Sequence, residues 1–76
     1  MSYRSGMMSI TDTPSFGGAI RRARRQLKVT QKDLALASGT GLRFIIDLEK
    51  GKPTCQIGKA LEIARTLGLR IQIQDP

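Results

Sequence analysis

The sequence has no histidine and a single cysteine, Cys55. Without histidine the usual general acid–base group at neutral pH is missing, and Cys55 has no plausible base to activate it. One cysteine permits no internal disulfide and makes a zinc site very unlikely, so no metal or cofactor is expected. Long apolar runs are missing too; none approaches the roughly seven residues of a signal-peptide core or the ~20 of a membrane span. A reduced, cytoplasmic protein is the expectation. Acidic residues are scarce, 6 against 13 lysines and arginines, which leaves a net charge of +7. That imbalance points to a polyanionic partner, either nucleic acid or an acidic membrane surface.

Enzyme chemistry finds no other foothold. Asp47 and Glu49 are two apart in a helical stretch and so point to different sides. Neither Gly51-Lys52 nor Gly58-Lys59 completes a phosphate-binding loop, because the earlier glycine and the following Ser or Thr are both missing. With 76 residues the chain supports one small domain, and chains of this size often gain stability by associating.

Residues 1–13 read as a flexible tail without helical or strand period, although Met7 to Ile10 could pair with a sheet edge. Thr13-Pro14 reads as a helix start, Thr as N-cap and Pro in the first turn. Phe16, Ala19, Ile20, Ala23 and Leu27 then form one apolar stripe, bordered by Arg24, while Arg21, Arg22 and Arg25 lie off it. These three arginines either reach phosphates or solvate an exposed face. Gly17 and Gly18 are expected to weaken the first turn.

Thr30 signals the next helix, with Asp33 at the capping-box position, and Gly39 suits a left-handed cap at its end. A third helix spans about Gly41 to Glu49, with Ile45 and Leu48 inward and Phe44 beside them. A fourth runs from about Gln56 to Leu67 and is expected to bury Ile57, Leu61, Ala64 and Leu67, with Ile63 at the flank. After Gly68 the period changes: Leu69, Ile71 and Ile73 alternate with Arg70, Gln72 and Gln74, the pattern of a strand.

Two short helices joined by a glycine-containing turn, the first starting Thr30-Gln31, are the centre of the case. Small Ala35 lets the pair approach, Gly39 permits the tight turn, and Ile45 and Leu48 anchor the second helix. The string Thr30-Gln31, Leu34-Ala35, Gly39, Ile45, Leu48-Glu49, Gly51-Lys52 resembles the phage-repressor-like (Cro/C1, or XRE) helix-turn-helix family over residues 16 to about 68. The fold this implies is all-α, a lambda-repressor-like four-helix DNA-binding domain over 14–68, followed by a C-terminal β-strand over 69–76 that pairs across a dimer.

The resemblance also implies roles. Thr30, Gln31, Lys32, Gly41, Lys50 and Lys52 fall at positions that contact DNA phosphates, and Leu42, Arg43, Ile46 and Asp47 at positions that face bases. Arg43 is the residue able to bond guanine bidentately, Leu42 could meet a thymine methyl, and Asp47 either accepts from cytosine or holds Arg43 at i,i+4. Leu42 and Ile46 could instead pack against a partner protein or a neighbouring helix. Arg24 and Glu49 correspond to an ion pair tying the first helix to the third.

The terminal strand makes the chain similar to HipB-type antitoxins, in which Leu69, Ile71 and Ile73 would lie in a dimerisation strand paired with its twofold mate. The partners so implied are double-stranded DNA with an inverted-repeat operator, a second copy of the chain, and a HipA-like kinase toxin. A nucleoid location follows from the first of these. A plain dimeric regulator without a toxin, or a protein-interaction module on the same scaffold, are the alternatives. A membrane partner is disfavoured, because the apolar face of the arginine-rich helix is committed to the core.

Overall fold

A computed structural model of the protein describes residues 9–76. Four helices account for its regular structure: α1 (Thr13–Gln26), α2 (Gln31–Ser38), α3 (Leu42–Glu49) and α4 (Ile57–Thr66). Each contributes one large, fully buried aliphatic side chain, Ile20, Leu34, Ile45 and Ile63 respectively. Burying a side chain of this kind stabilises by about 1.5–3 kcal/mol, so these four form the centre of the domain.

The start of α1 differs from the expectation. Asp12, not Thr13, is the N-cap: its carboxylate accepts from the Ser15 amide at 2.9 Å, and the Ser15 hydroxyl accepts from the Asp12 amide at 3.1 Å. A carboxylate suits this place because it meets both the free N–H groups and the positive end of the helix dipole. Thr13, released from capping, donates its hydroxyl to the Gly51 carbonyl at 2.7 Å and fastens α1 to the loop after α3.

Gly17 also departs from the reading as a weak spot. It is buried where α1 crosses α3, and a Cβ there would overlap the Leu48 carbonyl oxygen and press on the Glu49 carbonyl. Glycine is what lets the two backbones approach so closely. Gly18 meets nothing of the kind.

α2 and the turn that joins it to α3 follow the sequence closely. Thr30 accepts from the Asp33 amide at 3.0 Å, Gly39 takes φ 72°, and the Thr40 amide returns to the Ala35 carbonyl at 3.1 Å. Ala35 is buried, as the close pairing of helices requires. α3 begins at Leu42 with Gly41 as its N-cap, and Ile45 and Leu48 face inward.

α4 shows a rotated apolar stripe. Ala60, Ile63, Ala64 and Leu67 are buried, whereas Ile57 is 75% and Leu61 42% exposed. Both sets follow the helical period, so periodicity alone favours neither. α4 packs against α2, and the small Ala60 and Ala64 allow an approach that larger side chains would block.

Beyond α4 the Leu69 amide bonds the Ala64 carbonyl at 2.9 Å, and the Leu69 side chain packs against the core. Residues 69–76 have no regular secondary structure within the chain, so the expected strand is not formed here. A strand needs a ladder partner, and Ser9 and Ile10, at the other end, are likewise without regular structure. The rest of that suggested pairing, Met7 and Met8, lies outside the described residues. Ile71 and Ile73 are exposed.

Candidate nucleic-acid interface

The anchor of the site is a partly buried network between α1, α2 and α3. Arg24 grips Glu49 with two bonds, Nε to Oε2 at 2.6 Å and Nη2 to Oε1 at 3.1 Å, and its Nη1 donates to the Val29 carbonyl at 2.8 Å. The side chains are 12% and 3% exposed, so water screens them little. The expected ion pair is therefore present. A third member was not foreseen: the Gln31 side-chain amide donates to Glu49 Oε1 at 3.1 Å. The Thr30-Gln31 start put Gln31 in the first turn of α2, but nothing in the sequence spacing aims that turn at the end of α3.

This network fixes the first turn of α2 relative to α3. Thr30 caps the Asp33 amide in the first turn of α2, and Lys32 in the same turn is exposed. Gly41 is exposed at the start of α3, with no Cβ to hinder close approach of a ligand. Lys50 and Lys52 are exposed just past its other end.

The side of α3 opposite Ile45 and Leu48 carries the remaining candidates. Leu42 is partly exposed, the Arg43 side chain projects into solvent, and Ile46 is half-buried. Asp47 stands between two cations: Oδ1 is 3.6 Å from Arg43 Nε, and Oδ2 is 3.5 Å from Lys52 Nζ. Its geometry supports the reading in which it holds Arg43 at i,i+4. The Lys52 contact was not anticipated; it arises because the chain turns back after α3, with the Lys52 amide bonding the Asp47 carbonyl at 3.0 Å. Arg43 meets Asp47 through Nε, which leaves its Nη pair to engage a ligand.

The structure thus brings Gln31, Arg24 and Glu49 into one cluster, and Arg43, Asp47 and Lys52 into another. Leu69, Ile71 and Ile73 belong to neither. Among the described residues no group of three or more His, Cys, Asp or Glu side chains could hold a metal ion. No helix among them is long and apolar enough to cross a membrane.

Known proteins share this architecture. The sequence pattern of the Helix-turn-helix family matches residues 20–74. An uncharacterized HTH-type transcriptional regulator of Sinorhizobium fredii is 49% identical over 65 residues, covering 84% of this chain and 86% of its own. Among solved structures, HipB in the HipB–O4 20mer complex superposes with a TM-score of 0.83 at 22% identity, over 91% of this chain and 97% of that one. A chain of the HipA–HipB–O2–O3 complex gives the same TM-score, identity and coverage. At that identity the likeness speaks to the fold, and the expected four-helix arrangement is the one found. The family match spans most of the domain and includes both helices of the motif: the chain belongs to the helix-turn-helix family of the Cro/C1 (XRE) type, a family of DNA-binding regulators rather than enzymes.

Proposed function

We propose that the protein is a sequence-specific transcriptional repressor that binds double-stranded DNA as a twofold dimer and serves as antitoxin to a HipA-like kinase toxin. The observation that carries the DNA-binding part is the exposed face of α3. Arg43 projects from it beside Asp47, on a helix whose C-terminal end is held by the Arg24–Glu49–Gln31 network and the Gly51 loop. A major groove about 12 Å wide accepts such a helix. Arg43 reads a guanine edge, Leu42 and Ile46 offer apolar contact to thymine methyls, and Asp47 aligns Arg43. Thr30, Gln31, Lys32, Gly41, Lys50 and Lys52 carry the phosphate contacts, which position the helix without reading sequence.

The dimer reading rests on apolar surface. Ile57, Leu61, Ile71 and Ile73 are all exposed in the single chain. A second copy, pairing its 69–74 segment antiparallel with the first, satisfies the backbone groups there and covers apolar side chains. Two recognition helices would then stand about 34 Å apart, so the operator is an inverted repeat. The toxin partner is supported by the fold likeness to HipB, one of whose solved complexes also contains HipA. A regulator without a toxin remains the second reading, favoured by the relative described only as a transcriptional regulator.

Selection of bound duplexes from a random pool tests the central claim. The parent protein should return an inverted repeat, and Arg43→Ala should relax one position per half-site at a cost of about 1–3 kcal/mol. An unchanged consensus would reduce Arg43 to a phosphate clamp. Co-expression with a kinase-fold protein encoded beside it tests the antitoxin role; failure of the two to co-purify leaves the plain regulator.

A further inference from the structure

α1 holds four arginines and no acidic residue. Arg24 is spent on Glu49, whereas Arg21 and Arg25 lie on the other side of the helix and, with Gly18, Arg22 and Gln26, line a shallow open groove of about 410 Å³. Gly18 forms part of its floor, where a Cβ would meet open space. Among the described residues no carboxylate comes within 4.0 Å of Arg21 or Arg25. Solvated charged faces usually interleave both signs; among the described residues this one is concave and its charged side chains are all arginines.

Its direction matters. α1 touches α3 through Gly17 and Arg24. Each following residue turns roughly 100° around the helix, which carries Gly18 and Arg25 away from that contact and places them opposite buried Ile20. On α3, Arg43 lies roughly 140° around the helix from Leu48, whose carbonyl meets Gly17, so Arg43 is on the side away from α1. A duplex seated on α3 therefore leaves the arginine groove uncovered.

We propose that this groove docks an acidic segment of a protein partner while DNA occupies α3. Guanidinium groups at i and i+4 present planar donor forks that match carboxylates bidentately, and the missing Gly18 side chain lets a chain settle between them. The placement rests on the reading of α3 as the DNA-facing helix, and the test separates the two ideas.

Fluorescence anisotropy of a short labelled oligoglutamate peptide, measured on the full protein with and without a saturating unlabelled random-sequence duplex, makes that test. The peptide should bind the duplex-loaded protein, and Arg21→Ala/Arg25→Ala should weaken it about tenfold while duplex affinity changes less than about twofold. Gly18→Leu, which keeps every charge but fills the floor, should weaken the peptide as well. Expulsion of the peptide by duplex, or a fall in duplex affinity in the double variant as large as that of Lys52→Ala, would overturn the proposal and assign the groove to DNA phosphates. If the duplex fails to bind the parent protein, the DNA reading falls by itself. The peptide titrations on the free protein then decide the groove: loss in both variants upholds an acidic-segment site, and indifference to both rejects it.

Discussion

Gly17 and Leu48 meet backbone to backbone: the Gly17 Cα lies over the Leu48 carbonyl with no room for a side chain between them. The obstacle is main chain at both Leu48 and Glu49, so no rotamer change relieves it. Gly17→Ala should cost at least about 2 kcal/mol through overpacking. Gly18→Ala, with open space around it, should instead stabilise by roughly 0.5–1 kcal/mol as a better helix former. Urea midpoints of the two neighbouring variants would show opposite shifts. Equal shifts would mean that the helices do not cross at Gly17.

Glu49 receives three side-chain donors at 3% exposure. Arg24→Ala or Glu49→Ala leaves a mostly buried charge without its partner, at a cost of about 3 kcal/mol. Arg24→Met/Glu49→Leu should be less damaging than Arg24→Met or Glu49→Leu alone. Simple additivity in the denaturation cycle would argue against direct coupling.

Asp12 titrates with a lowered pKa, held down first by the Ser15 backbone amide and then by the Ser15 hydroxyl. Its ordinary value is 3.8, so the cap contributes fully above that pH. Protonation in the folded state occurs only lower down, and the contribution fades as pH falls from about the ordinary value through the lowered one. Asp12→Asn should flatten that part of the stability–pH curve. An identical acid limb in parent and variant would remove Asp12 from the account.

How far the sequence revealed all this depended on whether a position answers to local or to tertiary rules. Thr30 and Gly39 obey local rules, capping and left-handed backbone, and both were legible. The Arg24–Glu49 pair was legible through family resemblance. Gly17 and half of the α4 stripe were not: Ala64 and Leu67 are buried as expected, but the backbone of α3 decides Gly17 and the packing of α4 puts Ala60 and Ile63 inside. Large aliphatics at Ile57 and Leu61 make the stronger pattern in one dimension, yet Ala60 and Ile63 are the residues buried in their place. The family resemblance speaks only to Gln31 as a phosphate contact; its bond to Glu49 links residues 18 apart, beyond the reach of any local pattern.

DNA affinity should fall steeply with salt, each phosphate contact adding roughly −0.9 to the slope of log affinity against log concentration. Lys32→Ala and Lys52→Ala should each flatten the slope by about that amount and weaken all sequences alike. Lys52→Ala also removes a neighbour of Asp47, so it should tighten the hold of Asp47 on Arg43. A salt-independent affinity would exclude phosphate contacts as the main source of binding.

Self-association has its own test. Ile71→Pro removes a ladder donor from the 69–74 segment and should shift the protein toward monomer. Binding to an inverted-repeat operator should then weaken far more than binding to a random duplex. A scattering mass of one chain for the parent at micromolar concentration would refute the dimer.

The Arg24–Glu49–Gln31 network has a consequence for how such a protein could change targets over time. It grips α3 from behind, together with Ile45 and Leu48, and takes no part of the helix's outer surface. Leu42 and Arg43, placed to face bases, and Lys50, placed to meet a phosphate, are exposed and contribute little to holding the fold together. Drift at those positions is therefore nearly neutral for folding while it rewrites what the helix meets outside. Duplicated copies of this gene could diverge in the sites they address without passing through unfolded intermediates, and a laboratory library randomised at those three positions should be mostly folded.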